Sequence, residues 1–223
     1  MGDRQAKNAL FDGFANVAKA LGNGRRVELI DVLAQGERHV DGLANEIGQS
    51  VANTSHHLHV LAAAGLVTTR RAGNRIYYQH ASGEVEQLWT VLRSVAHAHL
   101  AELDALAADY LGNRSSLDEI SRDELAERLD DGNLIIIDVR PEAEYVAGHI
   151  RGARSIPIGQ LPGMVRDLSA DVDIVAYCRG QYCVFADEAV RLLRKQRRNV
   201  RRLQDGFPEW RTAQHPTETG LAS

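Results

Sequence analysis

The stretch SHHLHVLAAAGLVTTRRAGNRIYYQH, residues 55–80, changes its periodicity halfway along. Up to Gly65 the apolar residues recur at helical spacing, and Gly65 stands where a helix stops. Beyond it, Leu66-Val67-Thr68-Thr69-Arg70-Arg71 and Arg75-Ile76-Tyr77-Tyr78 are rich in β-formers. They flank Ala72-Gly73-Asn74, a turn able to supply positive φ. Outward from this hairpin, helical patterns cover residues 6–21, 24–35, 40–47 and 51–64, Gly36 marks a second stop, and a longer helix is expected over 84–111. Helix, turn, helix and β-hairpin compose a winged helix-turn-helix, a mainly-α unit. In the last helix Leu88, Leu92, Val95, His99, Leu103, Leu106 and Tyr110 recur at spacings of four and three. Such a stripe calls for a partner: the first helix and the same helix of a second subunit, or the core of its own chain.

No acidic residue occurs between Glu46 and Glu84, in a chain of 223 residues with 30 Asp+Glu. The gap holds Arg70, Arg71, Asn74 and Arg75 on the hairpin, and Ser50, Asn53, Thr54, Ser55, His56 and His57 at the start of the 51–64 helix; His59 and His80 lie in it as well. Free N–H groups at a helix N-terminus receive phosphate, short polar side chains there reach base edges in the major groove, and hairpin arginines straddle the adjacent backbone or minor groove. These residues are the candidate contacts to double-stranded operator DNA; the alternative is a solvated helix that merely lacks acids.

Four strings carry a resemblance: Ala20-Leu21-Gly22-Asn23-Gly24-Arg25-Arg26, Val40-Asp41-Gly42-Leu43-Ala44, the segment Ser55 to Val67, and Arg71-Ala72-Gly73-Asn74-Arg75-Ile76-Tyr77-Tyr78. Together they resemble the ArsR family of winged-helix repressors over about the first hundred residues. The resemblance implies a homodimer that binds an operator through the helix near 51–64 and releases it when an inducer arrives. Metal sensors of that family place thiolates near 37–43, where this chain has Glu37-Arg38-His39-Val40-Asp41-Gly42-Leu43 and no cysteine. His97 and His99 are two apart and face different sides of the last helix, so no metal site is expected.

From Leu117 onward the pattern changes, and the polar stretch Gly112-Asn113-Arg114-Ser115-Ser116 sets the expected domains at 1–112 and 113–223. Ser121-Arg122-Asp123-Glu124 forms a capping box. Leu134-Ile135-Ile136-Ile137-Asp138-Val139 and Asp173-Ile174-Val175-Ala176-Tyr177 are continuous apolar runs of buried parallel strands, and a helix follows from Val184, so the second half is an α/β open parallel sheet. Cys178-Arg179-Gly180-Gln181-Tyr182-Cys183 therefore falls between a strand's carboxyl end and a helix N-terminus, where ligands bind and an anion such as a thiolate is stabilised. The helix terminus and Arg179 lower the Cys178 thiol pKa from roughly 8.5, and Gly180 lets the backbone curl around the sulfur, or around the outer sulfur of a persulfide.

Over about 117–214 the chain resembles a rhodanese domain, a sulfurtransferase module. The resemblance rests on the run from Asp138 to Pro157 (DVRPEAEYVAGHIRGARSIP), on the Cys178 loop, and on Leu203-Gln204-Asp205-Gly206-Phe207-Pro208-Glu209-Trp210, where Asp205 replaces the usual glycine. It implies that Cys178 accepts a sulfane sulfur from thiosulfate or a persulfide and passes it to a thiophilic acceptor. Asp138, Arg140, Glu144 and His149 would hold the surrounding loops. The sixth loop position, often arginine in thiosulfate users, is Cys183, which favours a persulfide donor unless Arg179 takes that arginine's place. Cys183 either attacks the Cys178 persulfide, releasing sulfide and leaving a disulfide, or is a small buried apolar residue. The catalytic candidates are Cys178, Arg179 and Cys183, supported by Gly180, with no cofactor beyond a persulfide on Cys178. The basic run Arg191, Arg194, Lys195, Arg197, Arg198, Arg201 and Arg202 is a solvated face with acidic neighbours, or a contact for the partner domain or a sulfur carrier.

Composition bounds these readings. With 26 Lys+Arg against 30 Asp+Glu, a net charge of −4 excludes a chain that coats nucleic acid or membrane over its whole surface. No apolar run approaches the roughly 18–20 residues of a membrane span, and the start MGDRQAKNALFDGF lacks the apolar core of a secretory signal. A cytoplasmic protein is expected, whose close cysteine pair is reactive rather than a structural staple. The sequence thus points to a transcriptional repressor whose second domain senses or transfers sulfane sulfur. The competing readings are a sulfurtransferase enzyme that the winged helix dimerises or brings to DNA, and a DNA binder whose second domain is a passive interaction platform.

Overall fold

In the computed structural model, which describes residues 3–169 and 171–221, the chain separates into two units, Met1–His99 and Leu100–Ser223. The first contains α1 (Arg4–Leu21), α2 (Gly24–Leu33), β1 (Arg38–His39), α3 (Val40–Glu46), α4 (Val51–Ala63), β2 (Val67–Ala72), β3 (Arg75–His80) and α5 (Gly83–His99). The strands form an antiparallel sheet of order β1-β3-β2. Asn23 caps α2 by accepting the Arg25 and Arg26 amides, and Ser50 caps α4 by accepting that of Asn53. Gly73, at φ 59°, supplies the positive φ of the hairpin turn. Leu29, Ile30 and Leu33 of α2 meet Leu43, Leu58, Leu61, Val67, Tyr78 and Val85 in one core, and the Trp89 indole N–H donates to Asp31 at 2.8 Å, tying α5 to α2. Helix-turn-helix and hairpin are the winged helix expected.

Two details differ from expectation. The short strand β1 pairs Arg38 with Tyr78 and His39 with Tyr77; two polar residues carry no period, so only the pairing defines the strand. The helix expected over 84–111 is two helices, because α5 ends at His99 and α6 (Glu102–Leu111) starts afresh after Leu100 and Ala101. No glycine or proline marks this break, and the apolar spacing runs straight across it. The separation into units falls at the same place, before α6 rather than after it.

The second unit continues with β4 (Glu119–Ile120), α7 (Arg122–Glu127), β5 (Leu134–Asp138), α8 (Glu142–Ala147), β6 (His149–Ile150), β7 (Arg154–Ser155), α9 (Leu161–Met164), a 3-10 turn (Val165–Asp167), β8 (Asp173–Tyr177), α10 (Phe185–Lys195), β9 (Val200–Leu203), α11 (Phe207–Thr212) and β10 (Thr217–Glu218). Five strands form a parallel sheet of order β4-β9-β8-β5-β7, and β10 pairs antiparallel with β6. Ile137, Ile174 and Ala176 pack with Leu161, Ala189, Val190 and Leu193. Their sequence neighbours Ile136, Val175 and Tyr177 pack with Leu125, Tyr145, Phe207 and Trp210. Both sheet faces are therefore covered, which is why the strands are apolar without alternation. No helix among the described residues is long and apolar enough to cross a membrane.

α11 begins against the backbone that follows β8. The Phe207 amide donates to the Cys178 carbonyl at 3.1 Å, and a Cβ added at Gly206 would overlap the Arg179 carbonyl carbon and oxygen and the Gly180 nitrogen. Backbone atoms cannot swing aside as a side chain does, so only glycine fits. Gly206→Ala is expected to cost about 1–3 kcal/mol by overpacking. Gly132→Ala, whose Cβ meets nothing within 4 Å, is expected to stay within about 0.5 kcal/mol of the parent in the same urea titration; equal stability of the two variants would contradict this account.

Candidate functional site

Tyr177 ends β8, and Cys178 follows it, buried at the carboxyl edge of the sheet before α10 begins. Cys178 and Cys183 are joined as a disulfide with their Cα atoms 6.3 Å apart, inside the roughly 4.4–6.8 Å that such a bond spans. Cys183 is both bonded to Cys178 and partly buried against the core. As a disulfide neither sulfur titrates, so the lowered thiol pKa expected of Cys178 concerns the reduced protein. Gly180, at φ 156°, lets the chain turn within the loop, and the Cys183 amide donates back to the Gly180 carbonyl at 3.1 Å.

Arg179 does not stand as an uncompensated cation. Its Nε donates to both oxygens of Glu144 at 3.0 Å and its Nη2 to Oε1 at 2.6 Å, and the Glu144 side chain is buried. Sequence reasoning named both residues without pairing them, because 35 positions separate them and only the fold of α8 against the loop brings them together.

Asp138 and Arg140 are fully buried and face one another: Nε lies 3.0 and 3.1 Å from the two carboxylate oxygens, and Nη2 lies 2.6 Å from Oδ2. Arg140 also donates to the Gly148 carbonyl at 2.7 Å and stacks 4.5 Å over the Phe207 ring. Burial alone pulls the Arg140 pKa down, but the Asp138 charge and hydrogen bonds outweigh it and leave the pKa raised. Tyr177, which sequence reasoning did not single out, donates its hydroxyl to Asp138 at 2.5 Å and accepts the Ile150 amide. Burial first, and then the Asp138 charge, push its pKa well above the ordinary value, so it stays protonated. His149 is buried, stacked 3.7 Å on the Tyr145 ring, with Nδ1 2.9 Å from the Tyr145 carbonyl. Asp205, in place of glycine, reaches Arg122 at 3.1 Å. In the basic run, Arg194, Arg201 and Arg202 pair with Asp118, Glu124 and Glu119.

On the winged helix, Ser50, Asn53, His56 and His59 are exposed around the first turns of α4, with Ser55 and His57 half-buried. Thr54 is corrected by the fold. It is fully buried, and its hydroxyl donates to the Ser50 carbonyl at 3.0 Å, so it secures the helix start instead of pointing outward. Burial, then the charge of Arg26, lower the His57 pKa, which keeps its ring neutral at pH 7. Arg71, Asn74 and Arg75 are exposed on the hairpin. Arg70 is bound by Glu37, with Nε donating to Oε2 at 3.0 Å, and lies 5.0 Å over the Tyr77 ring. An acid from outside the acid-free gap thus folds back onto it, which linear charge counting does not register. His80 turns inward to the Ile30 carbonyl at 2.8 Å. Among the described residues, no group of three His, Cys, Asp or Glu side chains is placed to hold a metal ion.

Residues 23–69 match the bacterial regulatory protein, arsR family, and residues 121–213 match the rhodanese-like domain. The HTH-type transcriptional regulator Rv0324 of Mycobacterium tuberculosis is 47% identical over 219 residues, covering 98% of this chain and 96% of its own length. Among solved structures, the homodimeric winged helix-turn-helix DNA-binding domain Mb0332 of Mycobacterium bovis is 43% identical, covering 46% of this chain and 93% of that one, with a TM-score of 0.42. The rhodanese-like domain of the Anabaena Alr3790 protein is 30% identical, covering 45% of this chain and 78% of that one, also with a TM-score of 0.42. The near full-length likeness to one regulator and the separate matches of the two halves place the chain in the ArsR family of HTH-type transcriptional regulators, with a rhodanese-like domain as its C-terminal half.

Proposed function

We propose that the protein is a DNA-binding repressor that grips its operator as a homodimer through α4 and the β2–β3 hairpin, and lets go when sulfane sulfur reacts at Cys178. The observation that carries this reading is that both cysteines of the chain lie in one loop at the end of β8, within bonding reach, and neither lies in the winged helix. In the reduced protein the Cys178 thiolate attacks the outer sulfur of a low-molecular-weight persulfide, RS–SH; the S–S bond breaks, RS⁻ leaves, and Cys178 carries the persulfide. The Cys183 thiolate then attacks the Cys178 sulfur, the bond to the outer sulfur breaks, and hydrosulfide departs, leaving the disulfide. Two thiols are oxidised and one sulfane sulfur is reduced to sulfide. A dithiol reductant resets the loop.

The donor class follows from charge. Thiosulfate brings two negative charges, yet the sixth loop position is a cysteine and Arg179 is already compensated by Glu144, so a persulfide suits the loop better. A sulfurtransferase acting in multiple turnovers is the second reading, favoured by the same position of Cys178 at a strand's carboxyl end. It requires the persulfide to reach an external acceptor faster than it reaches Cys183.

Dimerisation is supported by the apolar side chains Leu10, Phe11 and Phe14 on α1 and Leu88, Val91, Leu92 and Val95 on α5, all exposed in the single chain. Phe14, Val17, Ala18, Leu21, Leu88 and Leu92 line one concavity between these helices, and a patch of that kind marks an association surface.

Four outcomes check this reading. In a reporter driven by the protein's own promoter, a persulfide donor should induce the parent and leave Cys178→Ser repressed, and equal induction would contradict it. Cys183→Ser should accumulate one extra sulfur on Cys178 by mass spectrometry and release little sulfide. Leu92→Glu should sediment as a monomer and lose operator binding. Arg75→Ala, in contrast, should keep the dimer but weaken binding by about 1 kcal/mol and reduce the salt slope by about one phosphate contact.

A further inference from the structure

We propose that Arg114, in the polar stretch between α6 and β4, reads the redox state of the cysteine loop and passes it to the chain that leads back to the winged helix. The inference rests on the loop being the sulfur-responsive site. The Arg114 guanidinium is divided among three acceptors: Nε donates to Asp187 Oδ2 at 2.5 Å, Nη1 to the Gln181 carbonyl at 2.6 Å, and Nη2 to the Cys183 carbonyl at 3.2 Å. Two of these acceptors belong to the loop that the disulfide closes. The third, Asp187, is fully buried in the first turn of α10 and also pairs with Arg202 at 2.9 Å.

Arginine is the residue for such a reader. Its planar fork fixes three donors at once and its charge is permanent, so the fit is lost when the acceptors shift. Burial, and then the nearby Arg202 charge, lower the Arg114 pKa against the opposing pull of Asp187; the half-desolvated cation therefore depends on the carbonyls that solvate it in place of water. Two unbonded sulfurs need more room than two bonded ones, so reduction opens the loop and moves the carbonyls of Gln181 and Cys183. The rest of the segment has its own anchors. The Asn113 carbonyl accepts from Arg191 at 3.1 Å, the Ser116 carbonyl accepts from Arg194, Ser115 closes a local turn on the Asn113 side chain, and Leu117 is buried in the core. The disulfide form locks the segment, and the dithiol form frees it to adopt the arrangement that binds operator.

The test is hydrogen exchange across residues 112–117 of the full chain, in the disulfide form and after reduction with a dithiol. The parent is expected to exchange about tenfold faster when reduced, since local opening sets the rate. Arg114→Ala, which leaves Asp187 its Arg202 partner and so preserves the fold, should exchange fast in both forms. Arg191→Ala loosens the same segment without touching the loop and should keep the redox difference, which separates a reader from a mere anchor. Equal exchange of both parent forms, or a difference that survives in Arg114→Ala, would overturn the proposal. Operator titrations of the same samples separate the two layers. Exchange that responds while parent affinity does not would overturn the sulfur-responsive reading and leave the Arg114 linkage standing; affinity that depends on redox in Arg114→Ala would overturn the linkage alone.

Discussion

The covalent closure of the loop from Cys178 to Cys183 is the constraint around which the second unit is arranged. A strand buried on both faces delivers Cys178 to the sheet edge, and α10 departs immediately after Cys183. The start of α11 closes the remaining side, with the Phe207 amide bonded to the Cys178 carbonyl and Gly206 pressed on the Arg179–Gly180 peptide. Farther out, the buried Asp138–Arg140 pair stacks on Phe207, and Glu144 holds Arg179. Asp138, Arg140 and Glu144 would be costly to bury alone, and each is buried against a partner. Their common effect is a backbone fixed enough that making or breaking one S–S bond has somewhere definite to be felt.

The winged-helix unit obeys a different constraint. Its own core is small, centred on Leu29, Ile30, Leu58 and Leu61, and it leaves apolar side chains of α1 and α5 in solvent. Burying a Leu, Val or Phe is worth about 1.5–3 kcal/mol each, so an unpaired chain forgoes a sizeable part of its stabilisation. The proposed association of two copies would recover it and set two α4 helices in one particle, the arrangement that a repeated operator half-site requires.

Much of this was legible in the sequence because it is carried by local rules. Gly65 and Ser50 mark helix ends, the Ala72-Gly73-Asn74 turn fixes the hairpin, and unbroken apolar runs announce β5 and β8. What escaped is non-local or unmarked. The break at Leu100–Ala101 has no glycine or proline to signal it. The partners Glu37 and Arg70, or Glu144 and Arg179, are joined only by the fold. Thr54 looked like an outward donor because helix-cap chemistry favours short polar residues on both faces of a first turn, and only the packing of α4 settles which face it occupies. For the cysteines, sequence supplied their proximity but not the bond, since that depends on the backbone path through Gly180.

In the proposed reading, placing the cysteine pair in one unit and the basic surface in the other separates sensing from binding, so each can be altered alone. The measurement that tests this most directly is a fluorescence titration of the full chain on its own promoter DNA at one fixed salt concentration, comparing dithiol-reduced protein with protein treated with a low-molecular-weight persulfide. The account predicts tight binding by the reduced chain, at least about tenfold weaker binding after treatment, and recovery on renewed reduction. Affinity that is the same before and after treatment would contradict it.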